Sequence, residues 1–185
     1  MEDLEQQKIE LTYKICVFGD AGVGKTSLVD RYLTENFHEN IQATLGASIH
    51  IKFIAVRNGK VTLQIWDFGG HQNFRFLIPS YALGSSGAVF MFDITNTKSL
   101  TNLNEWLSEF RKVSRATPIL LVGGKSDLLE QRDCEVQQAL RFMQSNNFFN
   151  YIECSSKTGE NIESIFRSIL SEILIKQGRN SVEIL

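Results

Sequence analysis

The chain reads as an α/β domain: a six-stranded, mostly parallel sheet with one antiparallel edge strand and helices on both faces. Three observations predict this. Short β-rich apolar runs alternate with stretches whose apolar residues recur at helical spacing, as strand–helix–strand crossovers require. The pair Asn58-Gly59 separates two apolar runs, a strong short-range signal for a hairpin. A glycine-rich run at residues 19–26 falls between the first strand and the first helix. Sheets of this kind bind ligands at the carboxyl ends of their strands.

The elements follow in order. Residues 11–18 are apolar without a break after Lys14, as in a strand covered on both faces. Leu28, Val29, Tyr32 and Leu33 give residues 25–34 the apolar stripe of a helix. Residues 37–46 have no period and read as a loop. Strands over 47–56 and 61–66 are joined by Arg57-Asn58-Gly59-Lys60 and must run antiparallel. Residues 67–79 are polar and carry glycines, which predicts a mobile loop with a short helix. Residues 87–92 form another buried strand, and 118–122 the next. Leu103, Trp106, Leu107 and Phe110 mark the helix between them. Val136, Ala139, Leu140 and Met143 mark a further helix, followed by a short strand at Tyr151-Ile152. Ile162, Ile165, Phe166, Ile169, Ile173 and Leu174 line a long last helix. The division is an extension at 1–10, one domain at 11–176, and a short frayed tail at 177–185.

Composition narrows the function. A chain of 185 residues, 43% apolar and 22% charged, supports one domain with a substantial core. A net charge of −2 disfavours a general nucleic-acid or membrane-surface binder. No apolar run approaches the ~20 residues that span a bilayer. The start, Met1-Glu2-Asp3-Leu4-Glu5, has neither a signal region nor the glycine that myristoylation needs. The cysteines Cys16, Cys134 and Cys154 match no metal or disulfide spacing and suit a reducing cytoplasm. No cysteine near the end forms a prenylation box, so no membrane anchor is expected in this chain.

The run Gly19-Asp20-Ala21-Gly22-Val23-Gly24-Lys25-Thr26 fills every slot of a phosphate-binding loop. Glycines let successive backbone N–H groups converge on one anion. Lys25 supplies a compact positive charge, Thr26 a hydroxyl for Mg²⁺, and the following helix its positive end. Further loops lie at the same sheet edge. Asp67 can hold Mg²⁺ through a water, and Gly70 can bring a backbone N–H close to a terminal phosphate. The hydroxyl of Thr44 can reach the same metal. Asp127, in Gly124-Lys125-Ser126-Asp127, can accept two hydrogen bonds from guanine. Adenine lacks that donor pair, and sites built this way discriminate by ~10⁴–10⁵. Backbone N–H groups of Ser155, Ser156 and Lys157 can contact the guanine carbonyl.

Taken in order, these pieces resemble the Ras superfamily of small GTPases, and within it the Rab-like branch, over residues 14–175. The likeness rests on residues 19–26, Thr44-Leu45-Gly46, Trp66-Asp67-x-x-Gly70, Lys125-x-Asp127 and Ser155-Ser156-Lys157-Thr158-Gly159. It implies a P-loop NTPase fold, GTP/GDP and Mg²⁺ as ligands, and slow GTP hydrolysis. Ala21, Gly22, Val23, Gly24, Lys25, Thr26 and Ser27 would cradle the phosphates. Thr26, Thr44 and Asp67 would serve the metal. Phe37 would pack on the guanine face, with Lys125 under the base and supporting the phosphate loop. Lys25, Thr44, Gly70 and His71 would act at the γ-phosphate. Residues 37–46 and 67–81 would be the two switches, read by effectors, exchange factors and GTPase-activating proteins. Trp66 and Tyr81 match two aromatic positions that display nucleotide state; the third, Ile49, is aliphatic. A cytoplasmic monomer is implied, reaching membranes only through partners.

The chain departs from that pattern at four places. His71 stands where the family has Gln to orient water. A neutral imidazole can do this, and with an ordinary pKa of ~6.5 it predicts turnover rising through about pH 6–7. Gly124 replaces an Asn that ties base loop to phosphate loop by hydrogen bonds of ~0.5–1.5 kcal/mol each. Weaker binding, improved by Gly124→Asn, is the expectation. Ile41 replaces an aromatic that lids the phosphates. Phe68-Gly69 gives the second switch two adjacent glycines, a spelling that resembles archaeal relatives. No arginine lies between Tyr32 and His50, so none is supplied in cis from the first switch. The alternative reading is a GTP-bound scaffold with negligible hydrolysis, favoured by His71 and Gly124. Asp127 opposes an ATPase or small-molecule kinase.

Overall fold

A computed structural model describes residues 8–39 and 41–185, the Phe74 side chain excepted. Residues 1–7, expected to carry neither a signal region nor an acylation site, and position 40 of the 37–46 loop lie outside the described residues. The strands are β1 (Ile9–Phe18), β2 (Ala47–Val56), β3 (Gly59–Phe68), β4 (Gly87–Asp93), β5 (Ile119–Gly124) and β6 (Asn150–Cys154). They form one sheet in the order β2-β3-β1-β4-β5-β6. Only β2 is antiparallel, paired with β3 from Ala47↔Phe68 to Val56↔Gly59. The helices are α1 (Lys25–Thr34), α2 (Ile78–Ala82), α3 (Thr97–Thr101), α4 (Leu103–Arg111), α5 (Val136–Ser145) and α6 (Ile162–Lys176). The mixed sheet and its antiparallel edge strand agree with the sequence reading.

The apolar pattern explains the two layers. Every residue of β4 and of β5 is buried, which accounts for their unbroken apolar runs. On one face α1 and α6 cover the sheet, and Tyr32 stacks on Phe166 at 3.9 Å between ring centres. On the other, Phe18, Phe90 and Phe110 meet within 5.3–5.5 Å, beside the buried Trp106 of α4. Aromatic pairs of this kind add about 0.5–1.5 kcal/mol beyond their buried area.

Several boundaries differ from the sequence reading. β3 runs on to Phe68, so Asp67 lies within a strand and is fully buried, not at the start of a loop. The hairpin turn centres on Arg57 and Asn58, with Asn58 at φ 65°, one residue earlier than Asn-Gly implies. Gly59 is instead needed where the Ile9 backbone passes, since a Cβ there would lie 2.0 Å from the Ile9 carbonyl oxygen. The 3₁₀ segment Gln72–Leu77 falls in the 67–79 loop, where a short helix is expected; α3 and the 3₁₀ segment Ser126–Gln131 carry no apolar period that would announce them.

The tail is not frayed. Ile184 bridges antiparallel to Val56, and Leu185 N–H donates to the Ala55 carbonyl at 3.1 Å. Arg57 Nε binds Glu183 at 2.6 Å. Val182 and Ile184 pack against the α1/α6 core. The alternation of Val182 and Ile184 around Glu183 is too short to read as a strand on its own. Among the described residues, no helix is long and apolar enough to cross a membrane.

Candidate nucleotide-binding site

The loop between β1 and α1 sets the site. Gly24 caps α1 in the left-handed region at φ 106°, with no side-chain hydrogen bond to the helix's first N–H groups. Those donors and the helix dipole are available to an anion. A cavity of about 230 Å³ lies in front, lined by Ala21, Gly22, Gly24, Lys25, Thr26, Ser27, Ile41, Thr44, Gly70 and His71. A second, of about 310 Å³, is lined by Val23, Phe37, Lys125, Asp127, Ser156 and Lys157. The two meet at Gly24 and Ser27. Phosphate-binding and base-binding candidates, distant in sequence, are therefore brought into one continuous cleft.

Electrostatics concentrate at the phosphate end. Lys25 is 5% exposed, and its ammonium donates to the Asp20 carbonyl at 2.8 Å. Burial pulls its pKa down to about 8, against the charges of Asp67 and Asp20. Thr26 Oγ1 donates to Asp67 Oδ2 at 2.6 Å and lies 2.8 Å from Thr44 Oγ1. Burial raises the Asp67 carboxyl above its ordinary value, partly offset by Thr26, Lys25 and Thr44. Asp67 Oδ1 is buried with no hydrogen-bond partner among the described residues. Two hydroxyls and an under-satisfied carboxylate make an all-oxygen donor set of the kind Mg²⁺ takes. These residues fit that ion.

The second switch is closed onto the phosphate loop. The Gly70 carbonyl accepts from Ala21 N–H at 3.0 Å. This carbonyl is a different group from the Gly70 N–H expected to face a terminal phosphate. Arg75, in the 3₁₀ segment after His71, donates to Asp20 Oδ1 at 3.1 Å and sits 5.0 Å from the Trp106 ring centre. It also contacts Glu105. Asn102 and Trp106 donate to the same Asp20 carboxylate at 2.6 and 2.9 Å. Asp20 thus anchors switch and helix together, a function no local motif signals, because its partners lie 55–86 residues away.

At the base end the structure adds partners that the sequence does not indicate. Lys125 lines the cavity, but its ammonium pairs with Asp93 at 2.6 Å and not with the phosphate loop. Ser155 is fully buried, and its N–H is taken by the Glu160 carbonyl at 3.1 Å. Its hydroxyl donates to Asp127 Oδ1 at 2.6 Å, so it orients Asp127 and leaves Ser156 and Lys157 to line the cavity. The space beside Gly124 is filled by Met91, so Gly124→Asn alone meets a buried side chain. Around this loop, Ser126 donates to Glu160 at 2.9 Å, and Arg132 grips Glu153 by two bonds of 2.6 and 2.9 Å. None of these supporting residues stands out by spacing.

Trp66 and Tyr81 pack edge to face, 5.9 Å apart, with Lys14 Nζ 3.8 Å above the indole. Ile49, directly opposite Trp66 in the hairpin register, is 55% exposed.

The Ras family profile matches residues 14–175. The chain is 32% identical to GTP-binding protein ypt3 of Schizosaccharomyces pombe, over 97% of this chain and 84% of that one. It is 33% identical to Ras-related protein Rab-11C of Dictyostelium discoideum, over 91% and 75% of the two chains. With Ras-related protein Rab-13 of Canis lupus familiaris it shares 30% identity over 90% and 82%. The chain belongs to the Ras family: it is a Rab-like small GTPase, a switch that binds GTP and GDP with Mg²⁺ and hydrolyses GTP.

Proposed function

We propose that this GTPase is a monomeric switch of low intrinsic turnover whose hydrolysis depends on His71. One observation carries the reading: Thr26, Thr44 and Asp67 converge beside buried Lys25, with a carboxylate oxygen left unpaired among them. That is an arrangement for a polyphosphate and its cation. Bound there, Mg²⁺ would offset the negative charge of the phosphates. Thr26 and Thr44 would hold it by their hydroxyls, with the Asp67 carboxylate beside them. Lys25 and the backbone N–H groups of residues 22–26 take the charge that builds on the γ-phosphoryl oxygens. His71, at the rim of the phosphate cavity, orients the attacking water. Asp127, oriented by Ser155, accepts from guanine; Phe37 and the Lys125 stem cover the two ring faces.

Loss of the γ-phosphate removes the contacts that hold Thr44 and Gly70, and the two switches relax. Effectors read this at Trp66, Tyr81 and exposed Ile49, and exchange and activating proteins act through the same segments. Arg75, tied to Asp20 outside the phosphate cavity, leaves room for an arginine from an activator, worth ~10³–10⁵ in rate.

Single-turnover hydrolysis of bound GTP by wild type and His71→Ala tests the proposal. A rate that falls at least about tenfold in the variant supports His71 at the water. An unchanged rate removes His71 from the mechanism, and no phosphate release at all favours the scaffold reading. ATP competing as well as GTP would exclude Asp127 as the base selector.

A further inference from the structure

Met91, in β4, is 1% exposed, yet its side chain reaches the base-end cavity between Gly24 and Lys125. Its methyl addresses two loops at once. A Cβ built on Gly24 of the phosphate loop would lie 3.4 Å from Met91 Cε, ordinary contact. A Cβ built on Gly124 would lie 2.3 Å from the same methyl, and 3.0 Å from the Val23 carbonyl oxygen. The methyl, the end of a flexible but buried side chain, therefore lies where a side chain at 124 would grow, beside the loop that holds the phosphates, and such a side chain must push it aside.

We propose that Met91 is a positioning residue for the nucleotide: its thioether is an apolar strut between the base loop and the phosphate loop, and Gly124 is small to admit it. Where a polar side chain at 124 would tie the loops by hydrogen bonds, this chain ties them by packing. An unbranched, flexible thioether suits such an irregular gap. Residues 91 and 124 act as one unit, so neither losing the methyl at 91 nor adding bulk at 124 is tolerated alone. The inference rests on guanine-nucleotide binding in this cleft.

GDP release in excess Mg²⁺, followed alongside thermal unfolding, tests it with Gly124→Asn, Met91→Val, Met91→Leu and the double variant Met91→Val/Gly124→Asn. Valine suits the strand but removes the sulfur and terminal methyl that reach the loops. Gly124→Asn alone should speed release about tenfold, because overpacking displaces the strut. Met91→Val should speed it about fivefold, and Met91→Leu should stay within about twofold of wild type. In the double variant release should be slower than in either single one, an interaction of at least about tenfold. Gly124→Ala, which adds only the Cβ, repeats the first arm should Gly124→Asn fail to fold. The same Gly124→Asn effect in both backgrounds overturns the strut. So does a Met91→Val protein that melts earlier yet releases GDP at the wild-type rate, since Met91 would then be core alone. A wild-type protein with no bound guanine nucleotide fails at an earlier point, overturning the reading of the cleft and the strut with it.

Discussion

Replacing Gly70 by alanine should uncouple the second switch from the phosphate loop. A Cβ at 70 would lie 2.2 Å from Ala21 N, 2.3 Å from Asp20 C and 2.5 Å from Ala21 Cα. All three atoms are backbone of the phosphate loop, so no side chain can rotate away. Ordinary contact begins near 3.4 Å, so the two backbones must part by about 1 Å. That separation also breaks the 3.0 Å bond from Ala21 N–H to the Gly70 carbonyl. One such bond is worth ~0.5–1.5 kcal/mol, which lowers the melting temperature by only a few degrees. Catalysis is more sensitive, because a displacement of about 1 Å of an orienting group costs ~10²-fold. His71 follows Gly70 directly and moves with it. Single-turnover hydrolysis of bound GTP should therefore fall about 100-fold while GDP release changes by less than about tenfold. A hydrolysis rate within about threefold of wild type would refute the argument.

Three further outcomes follow from contacts outside the cleft. Burial alone would raise the Glu153 carboxyl, but hydrogen bonds from Arg132 and Tyr151 and the Arg132 charge outweigh it and hold its pKa below the ordinary value. Its stabilisation is thus present above about pH 4.5 and lost as pH falls through the folded value. Glu153→Gln should cost ~1–3 kcal/mol in urea unfolding at pH 7 and progressively less as pH falls below about 4.5; a gap independent of pH would contradict this. Arg75→Ala frees the 3₁₀ segment from Asp20 and Trp106 and should cost ~1–3 kcal/mol, with faster amide exchange at residues 72–82. Exchange unchanged there would show that the latch holds nothing. Ile184→Ala should cost ~1–2 kcal/mol, because the side chain is only half-buried, and should expose the Arg57 amide; unaltered melting would mean that the tail does not brace the hairpin.

Local chemistry alone determined much of this protein. The glycine spacing of residues 19–26 names a phosphate ligand wherever the loop stands, because successive N–H groups can converge only if the backbone is free to turn. Apolar runs and helical stripes predict each strand and the long helices, because burial on two faces or on one leaves different periods. Tertiary structure decided what supports those parts. Asp20 is an anchor for Arg75, Asn102 and Trp106, Ser155 orients Asp127, and Val182 and Ile184 brace the hairpin. Met91 reads in sequence as one more apolar strand residue. Only the fold shows its methyl in the space that Gly124 leaves. Each of these depends on two segments meeting that no local period or motif couples, so the energy of the contact exists only once the chain has closed.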